Sequence, residues 1–272
     1  MAEELYSLSA LDRPMDYGMM EAYLGALADT YALPVQVIGT SISGRAIRAV
    51  CLGDPRLQTD ADKQACAAVY FGGMIEGDWV STAILLRFLR DYCLFHAEGR
   101  RLYGVHLPYL WENRLIYVFP CIHPDGMRVR KGDKAVCTRP ASMQLRDGFF
   151  PGAPFACAEG VNPAPEVSAV CQFLHFTPTR LCLSLCTADA EPCLATVPDC
   201  AERTVTIGRL LSRMASYPFT RAARPGSLTA WYTTAIGRPA YTALLGRERS
   251  EVGYYYAYAA MREVLFSAPL LL

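Results

Sequence analysis

The sequence predicts an α/β protein in which a mixed, mainly parallel sheet carries helices on both faces. Three observations predict it. Stretches with apolar residues at helical spacing alternate along the chain with short apolar runs. Several of those runs, ACAAVYFGG, RLIYVFPC and RLCLSLCT, are apolar at successive positions, as strands buried on both faces should be. Finally, 272 residues, 52% of them hydrophobic, suffice for one large core, so a single domain over 1–272 is expected.

The elements follow in chain order. Met19, Met20, Tyr23, Leu24 and Leu27 recur at helical spacing between the breaks at Pro14 and Pro34, which predicts a helix over 16–31. VQVIGTSI and RAIRAVCLG flank Ser43-Gly44 as a hairpin. ACAAVYFGG is a central strand whose two terminal glycines open into a loop, the end of a strand at which sites form. A helical pattern from Trp79 to His96 and a shorter helical or irregular connection over 100–113 precede the strand RLIYVFPC and a turn at His123-Pro124-Asp125-Gly126. Residues 127–163, with a basic cluster at Arg128, Arg130, Lys131 and Lys134, form a long irregular excursion. A helix over 165–176 leads into RLCLSLCT. A cysteine-bearing loop, a helix over 201–217, a short helix around Ala230, the strand PAYTALLG and a last helix over 253–266 complete the chain.

Composition excludes some functions. Lys+Arg and Asp+Glu both number 26, so no long-range field draws the molecule to nucleic acid or to an anionic membrane. The first twenty residues begin acidic and hold no continuous apolar run, and no stretch approaches the roughly 18 apolar residues of a membrane helix. A cytoplasmic chain is expected. The eleven cysteines are odd in number, spread along the chain and free of C-x-x-C pairs, which suits buried reduced thiols. Cys182, Cys186, Cys193 and Cys200 form the one cluster in which a metal could be sought, but without the paired knuckles of a structural zinc site.

Several segments together resemble the zinc carboxypeptidase family, the carboxypeptidase A-like metallopeptidases, and in particular its bacterial branch. IGTSISGRAIRAVCLG is similar to the family's opening "I-G-x-S-x-x-G-R-x-I" hairpin. VYFGGMIEGDWVSTAILLRFLRDY resembles the strand, ligand loop and helix that carry His-x-x-Glu before a Trp. RLIYVFPCIHPDGM matches the strand and its "N-P-D-G" turn, RLCLSLCTADAE the strand ending in the second zinc histidine, and RPAYTALLG the strand bearing the catalytic glutamate. The resemblance implies the family's fold over nearly the whole chain and a zinc held by two histidines and a glutamate, with a fourth position open for water.

The implied chemistry then breaks down residue by residue. Counted from Trp79, the first histidine's position holds Ile75 and the glutamate's holds Asp78, while Cys186 stands at the second histidine and Leu244 at the general base. Isoleucine has no lone pair, Asp78 is one methylene short, and leucine cannot take a proton from water. The four histidines, His96, His106, His123 and His175, begin no H-x-x-E motif. The segment that binds the substrate carboxylate survives only as Gln144-Leu145-Arg146-Asp147-Gly148. These losses imply a pseudoenzyme with no zinc or other cofactor, whose degenerate cleft binds a peptide, a cell-wall fragment or a protein partner through Glu76, Asp78, Arg146, Cys186, Glu191 and Leu244. Two active alternatives stay open: a metallopeptidase with Glu76, Asp78 and Cys186 as substitute ligands, and a hydrolase with Cys186 as nucleophile and His123 as a nearby base. The tyrosines at 254, 255, 256 and 258 are expected to pack one face of the last helix with Met261 and Leu265.

Overall fold

The computed structural model describes residues 11–58, 67–127, 164–223 and 226–272. Seven helices lie among them: α1 (Tyr17–Tyr31), α2 (Trp79–Ala97), α3 (Leu107–Asn113), α4 (Pro165–Phe176), α5 (Glu202–Ala215), α6 (Leu228–Ala235) and α7 (Glu251–Ser267). The strands are β1 (Val35–Thr40), β2 (Ala46–Leu52), β3 (Ala67–Phe71), β4 (Arg101–Leu102), β5 (Val105–His106), β6 (Leu115–Phe119), β7 (Leu181–Cys186), β8 (Cys193–Ala195), β9 (Phe219–Thr220) and β10 (Ala240–Leu244). Eight of them make one sheet in the order β1-β2-β6-β3-β7-β10-β8-β9. The central strands β6, β3, β7 and β10 run parallel, with antiparallel pairing at β1-β2, β2-β6 and β10-β8.

Strand parity divides the core into two. Tyr70 on β3, Leu181, Leu183 and Leu185 on β7, and Tyr241 and Ala243 on β10 face a cluster built with α1, α2, α5 and α7. Val69 and Phe71, Cys182 and Cys186, and Ala240 and Leu244 face the opposite cluster, built with α4 and α6. Successive side chains of a strand point to opposite faces, so continuous apolar runs are what a sheet covered on both sides requires. Helix α2 is buried along nearly its whole length, and Tyr70 donates its hydroxyl proton to the Leu265 carbonyl at 2.9 Å, tying β3 to α7. Caps fix the helix entries: Asp16 accepts from the Met19 N–H, Ser227 from Ala230 and Ser250 from Gly253.

The structure departs from sequence expectation in a few elements. The cysteine-bearing loop contains β8, and β9 follows α5. Residues 100–113 resolve into the β4-β5 hairpin and α3. Of the four tyrosines, only Tyr254 and Tyr258 are buried, one turn apart on the inner face with Met261 and Leu265; Tyr255 and Tyr256 point outward, Tyr256 being 75% exposed. The excursion beyond residue 127 falls outside the described residues as far as 163. No helix among the described residues is long and apolar enough to cross a membrane.

Close packing of α5 on the sheet depends on Gly208, where an added Cβ would stand 2.3 Å from Phe219 Cε2 and 2.9 Å from Tyr241 Cε1. The Tyr241 ring is fully buried and Phe219 is half-buried against the same cluster, so neither ring can yield freely. Gly208→Val is therefore expected to lower unfolding free energy by about 1–3 kcal/mol in urea titration, whereas Gly25→Ala, on α1 where a new Cβ meets nothing within 4 Å, should stabilise by about 0.5–1 kcal/mol.

Candidate functional site

The sequence positions of interest collect at the C-terminal ends of β3, β7 and β10. Parity brings two of them to one face at once: Leu244 pairs in register with Cys186 across the parallel β10-β7 ladder, and both point toward α4 and α6. Ile75, from the loop after β3, joins the same apolar cluster with Met74, Phe119, Val167, Trp231 and others. Two residues further down the strands, a short ladder of hydroxyls crosses this face: Ser184 Oγ lies 3.1 Å from Thr242 Oγ1, which lies 2.6 Å from Thr229 Oγ1 on α6. These hydroxyls satisfy one another inside the layer.

The loop between β3 and α2 is held by backbone. Gly72 N–H donates to Phe119 O, and Ile122 N–H and His123 N–H donate to Gly72 O and Gly73 O, so the loops after β3 and β6 continue the pairing of their strands. Gly73 has φ +57°, and a Cβ there would sit 2.8 Å from Cys121, so glycine is required both by conformation and by space. Its N–H donates to Ser81 Oγ at 2.9 Å.

Asp78 closes this loop. Fully buried, it caps α2 by accepting from the Ser81 N–H at 3.2 Å through Oδ1, and it accepts from the Thr187 N–H at 2.9 Å through Oδ2. One carboxylate thus joins the start of α2 to the end of β7. Burial pushes its pKa up; the bonds from Thr187 and Ser81 and the charge of Arg249 oppose that shift without cancelling it. Arg249 lies across the same junction. Its Nε–H donates to Thr187 Oγ1 at 2.9 Å, its Nη1 to the Glu76 carbonyl at 3.0 Å, and its own carbonyl accepts from Trp79 Nε1 at 3.3 Å. The segment after β10 is thereby fastened to the other two.

A second polar centre borders the first. Asp125, in the turn after β6, accepts from Ser41 Oγ at 2.9 Å and from the Ser43 N–H at 3.0 Å. Burial works against its ionisation, but these bonds and Arg45 outweigh it and hold the carboxyl below the usual carboxylate range. His123 places Nδ1 4.0 Å from Oε1 of Glu166, a glutamate that is 1% exposed. Sequence reasoning missed Glu166 and Arg249, because a glutamate after the Pro165 that opens a helix and an arginine before a Ser helix cap both look like solvated residues.

The positions singled out from sequence are thus brought together unevenly. Ile75, Cys186 and Leu244 share a cluster, and Asp78 bonds to the residue after Cys186. Cys186 and Asp78 are buried beneath the surface, whereas the Glu76 and Leu244 side chains are partly exposed. Glu191 is solvated, 3.7 Å from Arg247 on a loop whose neighbour Pro192 lies against Gly246. Arg146 lies outside the described residues. The remaining histidines are remote in role: His96 stacks on Trp111 with ring centroids 4.3 Å apart, His106 caps α3, and His175 is exposed on α4.

A comparison with family models matches residues 20–140 to one described as zinc carboxypeptidase. Among solved structures, a metallo-carboxypeptidase from Burkholderia cenocepacia superposes with a TM-score of 0.69 at 14% identity, covering 95% of this chain and 69% of its own. Thrombin activatable fibrinolysis inhibitor gives 0.68 at 15% over 97% and 74%, and carboxypeptidase A from Helicoverpa armigera 0.67 at 15% over 96% and 74%. Residues 20–140 thus resemble the zinc carboxypeptidases in sequence, and the chain shares the metallo-carboxypeptidase fold along its length. No curated protein sequence matches it.

In a zinc carboxypeptidase fold, the donor set here does not fit a catalytic zinc. Ile75 offers no lone pair, and both oxygens of Asp78 are engaged by backbone N–H groups. Among the described residues, no three His, Cys, Asp or Glu side chains stand where they could share a metal ion. Cys182 and Cys186 on β7 are separated from Cys193 on β8 by the whole of β10, about 10 Å at sheet spacing. None of the eight described cysteines is in a disulfide. Burial raises the Cys51 thiol to about 11 and the Cys93 thiol to about 12, and it raises Cys121 and Cys182 as well, so these remain protonated at neutral pH.

If Asp78 acts as a structural clasp, deleting its carboxylate must leave two buried N–H donors unmet. Asp78→Ala is expected to cost about 2–4 kcal/mol in unfolding free energy, and Arg249→Gln, at the exposed outer side of the same junction, no more than about 1 kcal/mol. Chemical denaturation of the two variants checks the ratio.

Proposed function

We propose that this zinc carboxypeptidase relative is a non-catalytic member that holds a peptide or cell-wall peptide fragment at the mouth of its altered cleft. The observation that carries the proposal is the fate of four positions: Asp78 spends both carboxylate oxygens on the fold, while Ile75, Cys186 and Leu244 lie in an apolar layer. Hydrolysis of a peptide needs an activated water and a group to move its proton. Loss of a positioned acid/base alone forfeits on the order of a hundred- to ten-thousand-fold in rate, and Leu244 has no substitute for it. The thiol route has weaker support, because Cys186 is 2% exposed in that apolar layer and His123 is directed to Glu166.

What remains accessible suits binding. Glu76, Leu244 and Glu191 edge the junction, with the exposed Arg249 fastening it, so an extended peptide would meet an apolar step between charges of both signs. Such a mixed rim discriminates by sequence without moving a bond.

The test combines metal analysis of the tag-free chain with release of C-terminal amino acids from synthetic peptides. The expected result is zinc well below one ion per chain, no release above background, and saturable peptide binding weakened by Glu76→Gln or Glu191→Gln. Release abolished by a chelator would contradict the proposal in favour of a metallopeptidase with substitute ligands, and release abolished by thiol alkylation would favour Cys186 as nucleophile.

A further inference from the structure

At the opposite end of the sheet from this cleft, the N-terminal ends of β7 and β10 lie side by side, with the Cys182 N–H donating to Pro239 O at 3.0 Å. The residues just before these strands, together with the start of α5, enclose a pocket of about 110 Å³ lined by Arg180, Arg203 and Arg238 with Ala201, Thr204 and the turn at Gly237. Three arginines therefore line one small recess. None is ion-paired to a carboxylate among the described residues; Asp199 and Glu202, the nearest acids in sequence, are exposed.

We propose that this pocket binds a phosphoryl group, as inorganic phosphate or a phosphate monoester. Like charges lining one recess repel one another, and a bound anion relieves that repulsion. Guanidinium is the side chain best suited to phosphoryl oxygens, since its planar fork donates two parallel bonds. The recess has room for one such group, and its walls are rigid. The Arg180 N–H is bonded to Ala67 O on β3 at 2.8 Å, the Tyr241 hydroxyl donates to Thr204 O at 2.7 Å, and Gly237 holds its turn with φ +71°. Helix α5, fourteen residues long, begins at this pocket, and its cap residue Ala201 has no side chain to accept from the first N–H groups. The Thr204 N–H is taken by Ala201 O, and the Glu202 and Arg203 N–H groups add to the arginines. The site is independent of the cleft: it stands whether or not the cleft binds peptide, because the two lie at opposite ends of β7 and β10.

The phosphoryl group can come from a soluble molecule or from a lipid headgroup, and two arms of one experiment separate them. In the first, glycerol 3-phosphate and inorganic phosphate are titrated calorimetrically into the full chain at low ionic strength, beside Arg203→Gln, Arg238→Gln, the double variant and Arg101→Gln on the remote β4 as control. In the second, the same proteins are sedimented with phosphatidylcholine vesicles with and without phosphatidic acid. The expected result is saturable binding at about 1 mM or tighter, weakened about tenfold by each pocket substitution, further by both together, and unchanged by Arg101→Gln. Retention on phosphatidic acid vesicles that the double variant loses would assign the site to a headgroup. Absence of binding in both arms, or binding that the double variant leaves intact, would overturn the proposal. Because Arg203 and Arg238 are exposed, their substitution leaves the core untouched, and an unchanged denaturation midpoint verifies that any loss is local.

Discussion

The arrangement around the cleft depends on one buried carboxylate. Asp78 joins the N-terminus of α2 to the C-terminal end of β7 through two backbone N–H donors, and Arg249 carries the connection on to the segment after β10. Three loops that leave the sheet at neighbouring strands must be tied together by something. In a metallopeptidase of this fold a zinc ion bound by residues from these segments has that effect, whereas here hydrogen bonds within the chain supply it. A buried carboxylate is costly unless it is hydrogen-bonded, and the two N–H groups supply one bond to each of its oxygens. The same bonds that make Asp78 tolerable in the interior hold its carboxylate between α2 and β7.

With that clasp in place, the apolar character of the neighbouring positions is physically consistent. Ile75, Cys186 and Leu244 all face the layer formed by α4 and α6, where Trp231, Phe119 and Val170 already exclude water. Polar ligands on that layer without a metal would be buried donors and acceptors lacking partners, each costing about 1–3 kcal/mol. Isoleucine and leucine avoid that cost and extend the packing. The hydroxyl ladder of Ser184, Thr242 and Thr229 survives just below because its members bond to one another.

Much of this was legible in the chain itself. The order of strands and helices followed from periodicity, and the common face of Cys186 and Leu244 follows from parity once the parallel pairing of β7 and β10 is known. The short strands β8 and β9 were hidden because two or three residues carry no alternation to read, and their existence is decided by the neighbours they pair with. Tyr255 and Tyr256 read as core residues because they adjoin residues that belong there, but one hundred degrees of rotation per residue carries them outward. Arg249 and Glu166 had no motif at all. Their roles come from contacts with residues more than forty positions away, which only the fold brings near.

The central claim is that the Asp78 carboxylate belongs to the fold and is unavailable to a metal. Residue-resolved amide hydrogen exchange at Ser81 and Thr187, measured with excess zinc and again with a chelator, tests it directly. The account predicts equally slow exchange of both amides under the two conditions. Faster exchange of these two amides on adding zinc, reversed by the chelator, would mean that the metal draws Asp78 away from its N–H donors and would contradict the account.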